Sequence, residues 1–359
     1  MMNFSGSYEP GDVTFLLKVV DIATTDVAEK ERLIQAGTHY SEMLSDEKSP
    51  TADYLRLFHR ALEVNAQPMA QHIADLTVTL SQRPGREVVV VSLARAGTPV
   101  GVLIHRALPV LGRQSKHYCV SIIRDRGIDW QALDYICANH KDTDIVFVDG
   151  WTGKGVITQE LLQSVTAYNQ NRGTNIDPSL WVLADLAGSA TVAATAEDYL
   201  IPNAVLNATV SGLVSRTVLS DRYVQPGDFH ACAFYGDKRD EDLSRFYVDE
   251  LTPHVLTALA FAKPCKWTQV KRRSLSQVSH AFVGHLMARF DAERNHVKPG
   301  VGEATRAMLR RVPDRLLVQD PTAPDVQHLL RLAEEKQVVV ERIPDMPYRA
   351  AVIIKSISE

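Results

Sequence analysis

Along this chain, short unbroken apolar runs alternate with longer stretches in which apolar residues return every three or four positions. The first pattern predicts buried strands and the second predicts amphipathic helices. "VVVVSL" leads into the loop "ARAGTP" and a helix starting near Pro99; "HYCVSIIRD" is another strand, "WQALDYICANH" a short helix. "DIVFVDG" is a strand that runs into a glycine turn and a helix through Tyr168, and "LWVLADLAG" is a further strand. Strand, loop and helix repeated in this order predict an α/β fold, a parallel sheet with helices on both faces. Residues 1 to about 85 read as a helical extension, with Gly37 closing one helix and Thr51 capping the next. The first domain so defined spans 1–265. Residues 266–294 read as a basic linker or helix. Residues 295–359 have their own order of glycine turn, helix, strand, helix, strand and last strand "YRAAVIIKSI", a small α/β domain.

Composition narrows the function classes. The chain has 359 residues, 45% hydrophobic and 23% charged, with a formal net charge of -4. No global field draws it to nucleic acid, so any such contact must be a local patch. Cys119, Cys137, Cys232 and Cys265 are widely spaced, which argues against a zinc site or a disulfide framework and for a reducing cytoplasm. Neither a secretory leader nor a run long enough to span a membrane is visible. A homo-oligomer is compatible with all of this.

Candidate chemistry concentrates at two strand ends. "GWTGKG" supplies Gly150, Gly153 and Gly155, the hydroxyl of Thr152, the cation of Lys154 and an indole at Trp151. Glycines let backbone N–H groups converge on phosphate oxygens, and the helix that follows adds its dipole. A plain glycine-rich turn with a surface lysine would have the same outline; the spacing is neither a Walker loop nor a dinucleotide fingerprint. Asp149 closes the strand, where open α/β sheets bind ligands. The second loop, "SLARAGTP", offers Ser92, Arg95, Ala96, Gly97 and Thr98. Downstream, Ser211 and Arg216 stand in a hydroxyl-rich cationic stretch suited to a pocket wall, or to ordinary capping. "DFHACAFYGD" places His230 and Cys232 two apart, on one face of an extended segment. Cysteines are often inert core residues, and nucleophile and base usually come from distant segments.

"FVDGWTGKG" and "LARAGTP" resemble the phosphoribosyl pyrophosphate and pyrophosphate loops of type I phosphoribosyltransferases. That resemblance implies a type I phosphoribosyltransferase-like sheet and a transferase that moves phosphoribosyl onto a base-like or nucleoside-like acceptor. Asp149 would hold the ribose and a Mg²⁺ ion. Thr152, Gly153, Lys154 and Gly155 would hold the 5'-phosphate, and Arg95, Ala96 and Gly97 the pyrophosphate. The pattern departs from that family at Gly150, where a second acid is usual. Together with "AVLNATVSGLVSRTV" and "DFHACAFYGDKRDEDLSRFYVDEL", the chain resembles bacterial proteins of tellurite-resistance and stress-response systems, which join such a domain to a PELOTA-type RNA-binding domain. The same family carries the name StiP, as a cysteine protease, which implies Cys232 and His230 as nucleophile and base. A ligand sensor without catalysis is the third reading. "KPGVGEATRAMLRR" resembles the start of the RNA-contacting helix in PELOTA-type domains, which points to Lys298, Gly302, Glu303, Thr305, Arg306 and Arg310. Between Lys266 and Asp320 eleven Lys and Arg face five Asp and Glu, a patch of the sign that binds a phosphate backbone.

Overall fold

A computed structural model describes residues 4–355. Two short strands come first, β1 (Thr14–Phe15) and β2 (Lys18–Val19), followed by α1 (Val27–Gln35) and α2 (Ala52–Ser81). The Thr51 hydroxyl accepts from the Tyr54 N–H at 3.4 Å and caps α2. The alternating part follows: β3 (Glu87–Leu93), α3 (Thr98–Ala107), β4 (Gln114–Val120), the hairpin strands β5 (Ile122–Ile123) and β6 (Gly127–Ile128), and α4 (Trp130–Asn139). It continues through β7 (Ile145–Thr152), α5 (Val156–Arg172), β8 (Leu180–Asp185) and β9 (Val192–Thr195). After an irregular stretch come β10 (Ala231–Cys232) and α6 (Ser244–Ala258).

Six strands form one parallel sheet in the order β1-β4-β3-β7-β8-β9. Full burial on both faces explains the near-continuous apolar runs of the sequence. Val88, Val90 and Val148 meet α2, α3 and α6 on one face; Val89, Val91 and Phe147 meet α4 and α5 on the other. From β3 the chain moves to β4 on one side and then returns to β7 on the other. The loops after β3 and β7 therefore diverge, and a crevice opens between them at the strands' carboxyl ends.

The chain then forms α7 (Gln269–Phe290), β11 (Val297–Pro299), α8 (Val301–Arg310), β12 (Pro313–Val318), α9 (Gln327–Glu335), β13 (Val339–Arg342) and β14 (Ala350–Ile354). Their four strands pair as β11-β14-β12-β13. Helix α7 packs Val283 and Leu286 on one face of this sheet, against Val297, Leu317 and Ile353. On the other face, Val301, Ala304 and Met308 of α8 join the apolar cluster that includes Tyr199 and Ile201 of the first domain.

Two expectations need correction and one is narrowed. The N-terminal region is not wholly helical: β1 is an edge strand of the main sheet, too short to leave a periodic signal. Of the linker or helix expected over residues 266–294, the helix forms as α7, and it packs into the second domain's core. Strand β7 runs on through Thr152, pairing Trp151 with Ala184 and Thr152 with Asp185, so half of the expected phosphate loop belongs to the ladder. The final residues of the last predicted strand, Ser356 and Ile357, lie outside the described residues.

Gly101 in α3 makes room for the buried imidazole of His117; a Cβ there would stand 2.3 Å from Nε2. Alanine favours a helix over glycine by about 1 kcal/mol, while overpacking a core costs about 1–3 kcal/mol. Gly101→Ala is therefore expected to destabilise the protein, lowering the urea midpoint. An unchanged or raised midpoint contradicts this packing.

Candidate active site

The crevice over β3 and β7 brings the two predicted loops together. Arg95, Ala96, Asp149, Trp151, Ser211 and Arg216 line a cavity of about 230 Å³. A second cavity of about 260 Å³ adjoins it, bordered by Asp149, Thr152, Gly153, Lys154 and Gly155. Gly97 permits this approach: a Cβ there would lie 2.7 Å from the Val148 carbonyl. Gly155 adopts a left-handed φ of 77° as the chain turns into α5. Asp149 accepts from the Gly150 N–H at 2.7 Å, yet burial pushes its carboxyl up to about 7.

The loop cations are already engaged. Arg95 makes a two-pronged ion pair with Glu47 at 2.7 and 2.6 Å and donates to the Val214 carbonyl. Lys154 donates to the carbonyls of Arg294 and Val297 in the second domain, at 2.8 and 3.1 Å. Arg216 donates to the carbonyls of Tyr40 and Met43. Thr152 bonds Ser189, and Ser211 donates to the Asn207 carbonyl. Mg²⁺ is usually held by one or two carboxylates together with substrate phosphates and waters. Position 150 is glycine, and among the described residues no group of three or more His, Cys, Asp or Glu gathers to hold a metal.

Beneath the Ala94–Gly97 loop lies a thiol. Cys119 pairs with Ser92 across β4 and β3, and its Sγ stands 3.2 Å from the Thr98 hydroxyl. The Ser92 hydroxyl, across the ladder from this residue, lies 2.8 Å from His117 Nε2 and 3.3 Å from the Tyr118 carbonyl. On the other side of the ring, Nδ1 is 2.8 Å from the Asp12 carbonyl. A carbonyl only accepts, so Nδ1 carries the ring proton. Burial pushes His117 down to about 3, so the ring is neutral and Nε2 accepts from Ser92. The Ser92 and Thr98 hydroxyls both act to lower the Cys119 thiol, against the larger effect of burial. The result is a buried cluster of thiol, hydroxyls and imidazole.

The other expected pair is arranged differently. His230 and Cys232 do flank Ala231 on one face of β10, but the His230 ring bonds the Ser121 hydroxyl at 2.8 Å. Its backbone N–H donates to Asp129. Cys232 lies fully buried near Cys119, and burial pushes both thiols up to about 12. Sequence reasoning singled out "HAC" and passed over "HYC", which places His117 and Cys119 at the same spacing. The β3–β4 register, which adds Ser92, distinguishes them.

The residues expected to contact RNA face the first domain. Glu303 accepts from the Trp151 indole N–H at 3.3 Å, and the Arg306 guanidinium stands 5.5 Å over the Trp151 ring. Arg310 donates at 3.3 to 3.4 Å to the carbonyls of Ala204, Val205 and Leu206. Thr305 is fully buried and bonded within α8 and to His328. Lys298 is half-buried, and Gly302 borders a crevice with Tyr199 and Ile201. Asp198, which sequence reasoning missed, fixes this docking: its carboxylate accepts from the N–H groups of Val301 and Arg349 at 2.7 and 2.8 Å. An acid in "AEDYL" gives no signal of partners a hundred residues away.

Comparison with known proteins bears on these alternatives. Residues 6–252 match the family model described as tellurite-like stress resistance cysteine protease StiP, and residues 277–356 match the PELOTA RNA binding domain. The chain is 40% identical to the cysteine protease StiP of Acinetobacter baylyi over 99% of its own length and 95% of that relative's. Among solved structures, hypoxanthine phosphoribosyltransferase of Trypanosoma cruzi aligns at 13% identity and TM-score 0.26, covering 52% of this chain and 97% of that one. Its complex with the product IMP gives 13%, TM-score 0.27, 54% and 94%. Likeness this slight carries no argument. The expectation of a phosphoribosyltransferase using phosphoribosyl pyrophosphate is thus overturned by the family match and the relative. The physical reasons accord: the second acid is missing, Arg95 is neutralised by Glu47, and Thr152 is committed to the sheet.

Burial pushes Asp198 up to about 6, above the ordinary carboxylate value. Its contribution is fully present below about 4 and is lost as pH rises through about 6. Against Asp198→Asn, the wild type is expected to lose about 1–3 kcal/mol of relative stability between pH 4 and pH 7. Urea unfolding of both across that range checks this. A difference that stays flat with pH contradicts it.

Proposed function

The chain belongs to the family of tellurite-like stress resistance cysteine proteases StiP, and on that premise we propose that it is a cysteine protease with Cys119 as nucleophile. The observation that carries the class is 40% identity, over nearly the whole chain, to a protein named as a cysteine protease. The choice of thiol rests on Ser92, which faces Cys119 across the ladder and stands 2.8 Å from His117 Nε2. Thiolate chemistry needs a base that takes the thiol proton and an orienting group behind that base. Ser92 relays the proton from Cys119 Sγ to His117 Nε2, and the Asp12 carbonyl fixes the ring. The thiolate adds to the scissile carbonyl; His117 returns the proton to the leaving amine. Water then hydrolyses the thioester and releases the thiol.

The described conformation favours the neutral thiol and neutral ring, because burial pushes Cys119 up and His117 down. Cys119 is fully buried under the Ala94–Gly97 loop. Activity therefore requires that loop to move, admitting substrate and restoring polarity around the thiol. Through its match to the PELOTA RNA binding domain, the second domain adds a binding module for RNA.

Cleavage of fluorescently labelled casein tests this, with each cysteine replaced singly. Cys119→Ser and His117→Ala are each expected to lower the rate at least about 100-fold, while Cys137→Ser and Cys265→Ser keep it within about twofold. Loss at Cys232→Ser and His230→Ala instead moves the nucleophile to that pair. Undiminished cleavage by a variant without any cysteine overturns the class.

A further inference from the structure

Four cations from both domains surround the interdomain opening without acidic partners. Lys154 and Arg216 come from the first domain, Lys298 and Arg306 from the second. The hydrogen bonds of Lys154 and Arg216 go to main-chain carbonyls, and Arg306 lies over the Trp151 ring. Among the described residues, none of the four has a carboxylate within ion-pair distance. Their mutual repulsion is felt: burial and the nearby Lys298 push Lys154 down to about 8. Two acids also border the opening. Burial pushes Asp149 up to about 7, and Glu303, bonded to the Trp151 indole, faces Lys154 and Lys298 and offsets them in part.

The geometry suits an extended anion with flat groups. The two adjoining cavities share Asp149, Trp151 and Arg306, so the indole stands in the middle of a continuous cationic crevice. A charged groove with an aromatic platform is how single-stranded nucleic acid is held, phosphates on cations and a base on the ring. Arg306 and Lys298 are among the residues the sequence assigns to RNA; Arg306 lines both cavities, and Lys298 stands near enough to Lys154 to lower it. An RNA using them must touch the first domain too.

We propose that single-stranded RNA binds in the crevice between the two domains, its phosphates met by Lys154, Arg216, Lys298 and Arg306 and one base stacked on Trp151. This rests on the reading of the second domain as an RNA-binding module and assigns it a path that uses both domains.

Anisotropy of a labelled single-stranded oligoribonucleotide of about ten residues, titrated with the full chain at several KCl concentrations, tests it. Lys154→Gln with Arg216→Gln is expected to weaken binding at least about fivefold and to lower the salt slope by about 1.4. Lys154→Arg with Arg216→Lys keeps the charge and restores binding. Trp151→Ala weakens binding by a similar factor, while Trp151→Phe retains most of it. If Arg306→Gln weakens binding but the first-domain variants stay within about twofold, RNA lies on the second domain alone and the proposal fails. Displacement of the RNA by AMP at comparable concentration assigns the crevice to a small phosphate ligand and also overturns it. A wild-type chain that binds no RNA at all refutes the underlying RNA reading itself.

Discussion

One carboxylate determines how the two domains meet. Asp198 receives the N–H groups of Val301, at the start of α8, and of Arg349, just before β14. Both amides belong to the second domain, and both would be unpaired in a buried seam without this acid. An unsatisfied buried N–H costs about 1–3 kcal/mol, so the carboxylate selects one docking pose from many. Gly300 completes the fit, with φ at 87° and no space for a Cβ beside Leu186 and Asp198.

That pose decides what the crevice can do. It turns Arg306 and Glu303 onto Trp151 and draws Lys154 to the carbonyls of Arg294 and Val297. A glycine turn that looks like a phosphate grip is thus employed in holding a neighbouring domain. Arg95 is likewise engaged, by Glu47 from the segment before α2. The buried thiol below belongs to another system, wired through the sheet to His117. Charge at the rim and sulfur beneath the floor are separate chemistries stacked on the same strand ends.

Much of the first domain was legible. Its strands are buried on both faces, so they appear as apolar runs, and the helices between them keep their period. Two-residue strands such as β1 and β2 left no trace, because pairing at an edge needs no pattern of its own. The stretch of α7 left linker and helix both open, since few of its residues are buried: Ser279, Val283 and Leu286. The site was legible only in part. Arg95, Asp149 and Trp151 do share a crevice, as their strand-end positions implied. Which partner each cation takes was not, since Glu47 and Arg294 lie far off in the chain. The Ser92–Cys119 pairing depends on register, which no local spacing encodes.

The apolar cluster shared by Tyr199, Ile201, Val301, Ala304 and Met308 has a bearing on biosynthesis. As the chain leaves the ribosome, the first of these residues emerge about a hundred positions before the last. Through that interval the growing polypeptide carries a greasy flank that its own tail has yet to cover. Emergence and docking of α8, rather than completion of the main sheet, is the step that seals this flank against chaperones and against other copies of the chain.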